Sequence, residues 1–166
     1  MLDSSALLGE WSHHLVAAAH LHYYEGYWSS WIVAEVVRKR TEWIARRASK
    51  DRCDVAETMR RLQASRERVN HMIEDLSRDL RSVDYHDASP ADLSWLTDED
   101  DRVVMRTALA AAASILVTEN RRDFPLEQTR NGVLLLNTLG FLARLYKSNR
   151  EAEADIRTYL EDQLQT

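Results

Sequence analysis

The sequence predicts an α/β fold with a mainly parallel central sheet flanked by helices. Two short apolar runs, Ser114–Thr118 and Gly132–Leu136, alternate with longer helix-compatible segments. That alternation is typical of a parallel sheet covered by helices. Only 4 Gly and 2 Pro occur in 166 residues, which argues against an all-β fold with its many turns. The length favours a single domain over residues 1–166, with residues from about 146 to 166 as a C-terminal helical extension.

The N-terminal part predicts a short strand and then two helices separated by a second extended segment. The apolar opening is followed by Asp3 and by two helix-capping residues, Ser4 and Ser5. Residues 6–24 are then helix-compatible, and Gly26 is expected to close that helix. Tyr27 and Trp28 favour a short strand. A helix should then begin at Ser29, because serine is a favourable N-cap and apolar residues follow at helical spacing.

The middle of the chain predicts an extended, charged helical segment. Residues 35–84 hold more than half of the 22 Lys and Arg residues. Asp54 and Glu57 have the spacing of a capping box for a helix that runs to about Leu80. A short strand is expected at Ser82–Tyr85.

The C-terminal part carries the two apolar strands and the helices around them. Ser89–Asp92 predicts a helix start, because proline is favourable at the first helical position. A second helix should run from Asp101 onward, where apolar residues recur at helical spacing. The strands Ser114–Thr118 and Gly132–Leu136 follow, and Asn137 is expected to cap the terminal helices.

Composition and charge exclude several classes of protein. The net charge of -5 does not by itself suggest a nucleic-acid binder. No Lys or Arg precedes Arg38, so no signal or transit peptide is expected, and the longest uncharged stretch, Trp11–Tyr24, is too short to cross a bilayer. The single cysteine, Cys53, is typical of a reducing compartment. The sequence therefore predicts a cytoplasmic protein with no membrane partner.

Four acidic residues, far apart in the sequence, are expected to meet at one edge of the sheet. Asp3 follows the first strand, and Asn120 and Asp123 follow a buried strand. Asp101 is in phase with an apolar helix stripe, and Glu35 lies at the margin of a buried helix face. Taken singly, each acid has an ordinary explanation as a helix cap or surface group. Together, clustered carboxylates call for a cation, and oxygen ligands favour Mg²⁺ or Mn²⁺.

Four segments resemble, in order, the motifs of PIN-domain ribonucleases: Leu2–Leu8, Trp28–Arg38, Asp101–Ala108 and Leu116–Pro125. The resemblance implies a parallel sheet with helices on both sides and Mg²⁺- or Mn²⁺-dependent cleavage of RNA. It assigns metal binding and catalysis to Asp3, Glu35, Asp101 and Asp123. Asp100 is an adjacent rival to Asp101, but the Thr-Ala pair six and seven positions further on favours Asp101. Asn120 stands where many members carry another Asp and is included among the metal ligands. Many members, VapC-like toxins among them, are held inactive by a small antitoxin.

The resemblance to PIN-domain ribonucleases also implies the partners. RNA is the expected substrate, with its backbone contacted by Arg121, Arg122 and Arg38 and with Thr118 supporting the site. Arg38 begins a basic run with Lys39, Arg40, Arg46 and Arg47, which could equally be a solvated helix face. An antitoxin and a homodimer are further expected partners.

Other interpretations of the sequence remain open. Trp28, Trp31 and Trp43 fit core packing better than base stacking. A catalytically inactive PIN-like module that binds protein or RNA is the alternative function, and a wholly helical binding protein is a third.

Overall fold

The computed structural model describes residues 1–164 and has seven α-helices and five strands in that range. The helices are α1 (Ser4–Leu8), α2 (Ser12–His20), α3 (Ser30–Lys50), α4 (Val55–Asp79), α5 (Glu99–Ala110), α6 (Thr138–Ser148) and α7 (Ala152–Leu164). The strands are β1 (Gly26–Trp28), β2 (Leu80–Ser82), β3 (Ile115–Val117), β4 (Thr129–Arg130) and β5 (Val133–Leu136), and a 3-10 helix spans Tyr85–Asp87. Residues 165–166, the end of the predicted C-terminal extension, lie outside the described residues. The mixture of helices and strands confirms the α/β class.

The strands form two small sheets, and residues 1–3 lie between them with a parallel bridge from Leu2 to Val117. β1 pairs with β2 in parallel, and β5 lies between β3, which is parallel to it, and β4, which is antiparallel. Residues 1–3 contact both sheets: the Leu2 amide donates to the Tyr27 carbonyl (2.9 Å) and the Asp3 amide to the Val117 carbonyl (3.0 Å). These hydrogen bonds bring the C-terminal ends of β1 and β3 near Asp3.

An Asn-Gly turn joins β4 to β5. Asn131 and Gly132 have positive φ angles of 50° and 81°, the backbone that two-residue hairpin turns require and that Asn-Gly favours. The predicted strand Gly132–Leu136 is therefore confirmed, but it begins one residue later because Gly132 belongs to the turn. The antiparallel strand β4 was not predicted.

The predicted helix over residues 6–24 is wrong as a single element. It is broken after α1, where Gly9 has an extended backbone (φ -72°, ψ 168°), and it resumes as α2. Gly26 does not close a helix but begins β1, where a Cβ atom would lie 2.1 Å from Leu80 Cδ2. Any larger residue at this position would force the buried Leu80 side chain to move.

The predicted helix start at Ser89–Asp92 is also wrong. This segment is irregular, and the Asp92 carboxylate accepts a hydrogen bond from the Ser94 amide (2.9 Å) in a local turn. Leu93 and Leu96 anchor the segment in the core, with 7% and 1% exposure. Because both leucines are buried without helical geometry, the segment gains little from forming a helix. Helix α5 begins instead after Asp98.

The strand expected at Ser82–Tyr85 is wrong over most of its length, because β2 ends at Ser82 and Tyr85 begins the 3-10 helix. The remaining predicted elements are confirmed with shifted ends. The charged middle segment forms α3 and α4, which pack against each other as a long helical hairpin through buried Ile44, Ala48 and Val69. The C-terminal helix α7 packs on α2 and buries Ile156 completely. Within residues 1–164, every helix is too short or too polar to cross a membrane.

Candidate functional site

Asp3 lies where the first extended residues turn into α1, and its carboxylate is fixed by neutral donors. Oδ1 accepts from the Ser4 amide (2.6 Å), while Oδ2 accepts from Ser5 Oγ (2.5 Å) and Thr118 Oγ1 (2.8 Å). The residue is only 4% exposed. In the described part of the chain, no Lys, Arg or His forms an ion pair with Asp3. Its negative charge is oriented by hydrogen bonds but not neutralised.

Glu35, on the first part of α3, is buried and paired with a cation of its own helix. Its Oε1 lies 2.9 Å from Lys39 Nζ and 3.5 Å from Arg38 Nη2. Its Oε2 accepts a hydrogen bond from Ser4 Oγ (2.5 Å), and Lys39 Nζ also donates to that hydroxyl (3.2 Å). Glu35 is therefore linked to Asp3 through Ser4, but its charge is compensated within the protein.

Asp101 lies in the first turn of α5, where it is partly buried near three other acids. Burial first, and then repulsion from Asp123, Asp98 and Asp3, raise its pKa to about 6. A hydrogen bond from Asn120 Nδ2 to Oδ1 (3.0 Å) opposes that rise. No basic side chain in residues 1–164 pairs with Asp101. The carboxylate therefore faces other negative charges without a compensating cation.

The loop after β3 connects these acids. Thr118 Oγ1 donates to Asp3 and accepts from the Asn120 amide (3.1 Å). Asn120 donates to Asp101, and its own Oδ1 accepts from the Asp123 amide (3.4 Å). The two predicted supporting residues, Thr118 and Asn120, thus contact the acids that they were expected to support.

The four predicted acids do not form a compact group of metal ligands. Over residues 1–164, no three His, Cys, Asp or Glu side chains stand close enough together to hold an ion. Glu35 is turned toward Lys39, whereas the charges of Asp3 and Asp123 act on Asp101 and raise its pKa. The chemistry of these oxygen donors still suits a hard cation, because the negative charge around Asp101 is uncompensated.

The predicted substrate-binding arginines differ in their surroundings. Arg121 and Arg122 are exposed, and the Arg122 side chain is 92% accessible with a long ion pair from its Nε to Asp123 Oδ1 (3.9 Å). Arg38 is already engaged, because it pairs with Glu42 (2.8 Å) as well as with Glu35. Arg121 and Arg122 are therefore the freer of the three for contacts with a polyanion.

Sequence reasoning missed three polar residues of the site: Ser4, Ser5 and Lys39. Ser4 and Ser5 were interpreted only as helix caps, although their hydroxyls contact Asp3 and Ser4 also contacts Glu35. Lys39 was assigned to a surface basic run. Its position four residues after Glu35 was the available signal, since such pairs face each other on a helix.

The tryptophans of the N-terminal half differ in their burial. Trp28 is 4% exposed and belongs to the core, as its sequence context favoured, whereas Trp43 is 55% exposed. His13 and His14 form a ring cluster with Trp11 on α2.

The comparison with known protein families agrees with this geometry. A family model described as PIN domain matches residues 4–122, well over half of the chain. No curated protein and no solved structure matches the chain. The matched range includes Glu35, Asp101 and Asn120. The chain therefore belongs to the PIN-domain family, whose fold is of the nuclease type.

Proposed function

We propose that this chain is a metal-dependent endoribonuclease that hydrolyses RNA phosphodiester bonds. The observation that carries the proposal is the uncompensated negative charge around Asp101, in a PIN-domain chain that also orients Asp3 by hydrogen bonds. A protein gains no stability from holding carboxylates together without a cation, so such an arrangement favours a functional explanation.

The acids would hold Mg²⁺ or Mn²⁺ through Asp3, Asp101 and Asp123, with Glu35 and Asn120 as further oxygen donors. A bound divalent ion would supply Lewis-acid activation of water and neutralisation of the phosphodiester charge. These roles rest on the donor chemistry, and they require the side chains to draw closer than they are in the structure.

The remaining residues of the site would orient and neutralise. Ser4, Ser5 and Thr118 fix the Asp3 carboxylate, so that it need not reorganise when substrate arrives. Lys39 balances Glu35 and limits the total negative charge that an RNA strand must approach. Arg121 and Arg122, exposed at the rim, would contact the RNA backbone.

The test is cleavage of single-stranded RNA by the parent protein, by Asp101→Asn and by Asp100→Asn. Asp100 is an exposed acid in the same helical turn, so its variant is a matched control. We expect cleavage in Mn²⁺ or Mg²⁺, with 5′-phosphate and 3′-hydroxyl ends, by the parent and the control only, and none in EDTA. Equal cleavage by parent and Asp101→Asn would contradict the proposal.

A second candidate is a catalytically inactive PIN-like module that binds RNA or protein. Two observations favour the inactive module. The side-chain amide of Asn120 donates a hydrogen bond to Asp101 Oδ1, and the described residues contain no compact group of metal ligands. Titration with Mn²⁺ by calorimetry separates the two candidates. Uptake that is lost in Asp101→Asn supports the enzyme, and no uptake at millimolar Mn²⁺ supports the module.

A toxin role with an antitoxin partner is a narrower form of the first proposal. It predicts that induced expression of the parent arrests cell growth and that Asp101→Asn does not. The homodimer is likewise a proposal, suggested by exposed Leu139 and Leu164 at 50% and 87%. Light scattering of the purified protein measures its mass and tests the dimer directly.

A further inference from the structure

A basic cleft between α3 and α4 lies outside the acidic site. Its volume is about 390 Å³. We call it the arginine cleft, and its charged and aromatic lining consists of Arg40, Trp43, Arg47, Arg60, Arg61 and Arg68. No acidic side chain is among the described residues that line it. In a chain of net charge -5, such a concentration of arginine is a local exception.

Two of these arginines lack a carboxylate partner anywhere in residues 1–164. Arg40 places its guanidinium over the Trp43 ring, 5.0 Å from the ring centre. Arg68 donates through Nε to the Ala64 carbonyl (3.2 Å), a contact within its own helix. Both side chains therefore keep most of their hydrogen-bond donors available for an anion.

The other three arginines share only two acids. Arg61 contacts Asp51 (2.8 Å) and Glu57 (2.9 Å), Arg47 contacts Asp51 (3.5 Å), and Arg60 contacts Glu57 (3.0 Å). Even with both acids counted, the arginine cleft retains an excess of positive charge. Guanidinium groups bind phosphate oxygens in bidentate geometry, so this excess suits phosphates in particular.

Trp43 adds an aromatic surface to this positive cleft. It is 55% exposed, unlike Trp28 in the core, and the neighbouring Ile44 and Ala48 already provide the packing between α3 and α4. An indole ring beside arginines is suited to stack on a base whose phosphates the arginines bind. Because base faces are accessible only when bases are unpaired, the combination favours a single strand over a duplex.

We propose that the arginine cleft binds single-stranded RNA as a second contact that delivers the substrate to the acidic site. Trp43 lies about two turns after Glu35 on the same helix, which places it ~12 Å further along the axis. This separation is short compared with the length of an RNA strand of several nucleotides. The choice of RNA rests on the proposed ribonuclease function, whereas the binding itself does not require cleavage.

The test measures binding of a fluorescent single-stranded oligouridine by anisotropy in EDTA, where no metal-dependent cleavage occurs. Arg40→Gln combined with Arg68→Gln should weaken binding about tenfold and reduce the slope of log affinity against log salt by about 1.4. Trp43→Ala should weaken binding by about 5- to 100-fold, and Trp43→Phe should restore most of it. Circular dichroism verifies that each variant is folded.

The matched control is Arg144→Gln combined with Arg150→Gln, which removes the same charge from exposed positions elsewhere. Unchanged binding by the cleft variants, or equal weakening by the control, would overturn the proposal. The proposal is also overturned if duplex RNA binds as tightly as the single strand. Displacement of the RNA by polyglutamate, together with no effect of Trp43→Ala, would overturn it too, because that result indicates an acidic protein partner. Intact binding with no cleavage in Mn²⁺ would count against the proposed function alone.

Discussion

Replacement of Asp101 by asparagine should stabilise the metal-free protein at neutral and alkaline pH. The variant keeps the shape of the side chain and an oxygen that can accept from Asn120 Nδ2. It removes a charge that burial and three neighbouring acids oppose, since the pKa of Asp101 is raised from 3.8 to about 6. A pKa difference of that size corresponds to about 3 kcal/mol. Because Asp101 is half-buried, solvent screening reduces the expected gain to ~1 kcal/mol.

The sign of the pH dependence follows from the direction of the shift. The folded protein binds the Asp101 proton more tightly than the unfolded chain does. The stabilisation from that proton is therefore complete below about pH 4 and is lost as the pH rises through about 6. The advantage of Asp101→Asn should be largest near pH 8 and should vanish toward pH 4.

Urea denaturation in EDTA at several pH values measures this effect. Asp100→Asn is the matched control, because both acids lie in the first turn of α5 and both interact favourably with the helix dipole. The reasoning is refuted if Asp101→Asn is no more stable than Asp100→Asn at pH 8, or if its advantage is the same at all pH values.

Three further substitutions test the roles assigned to individual residues. Ser4→Ala removes the hydroxyl donor to buried Glu35 and should lower the free energy of unfolding by about 1–3 kcal/mol, measured by denaturant titration. No change in stability would show that Lys39 alone satisfies the Glu35 carboxylate. Glu119→Gln weakens the acceptor of the hydrogen bond from the Thr138 amide at the start of α6 (2.9 Å) and should lower the free energy of unfolding by ~1 kcal/mol. The RNA cleavage rate should not change, and a cleavage defect would contradict this structural role. Gly26→Ala forces the facing Leu80 side chain of β2 to move and should lower the free energy of unfolding by ~1–3 kcal/mol, visible as a lower Tm. An unchanged Tm would contradict this packing argument.

The elements that could be predicted from sequence are those whose signal is local. Helix α5 has an acidic N-terminal turn and an apolar stripe, and β5 is an apolar run before an Asn cap. The irregular segment at 88–98 depends instead on packing that no short window contains, whereas the break of the first helix had a local signal in Gly9 that the prediction did not use. At Asn131–Gly132 the turn signal was present, but the glycine was assigned to the strand.

The candidate site shows the same division. The order of acids in the sequence predicted that Asp3, Asp101 and the loop with Thr118 and Asn120 lie near one another, and in the structure Thr118 contacts Asp3 while Asn120 contacts Asp101. The pairing of Glu35 with Lys39 and Ser4 could not be inferred with the same ease, because Ser4 approaches α3 only through the tertiary fold. The distances between the acidic side chains also depend on the tertiary fold, so the sequence alone could not predict them.

The hydrogen bond between Thr118 and Asp3 joins residues separated by 115 positions. On a ribosome, Asp3 emerges first and must wait for Thr118, which at roughly 5–20 residues per second takes on the order of 6–20 s. During translation the nascent chain thus lacks the contact that orients its first acid. A cell that makes this protein is exposed to an assembled site only when synthesis is well advanced.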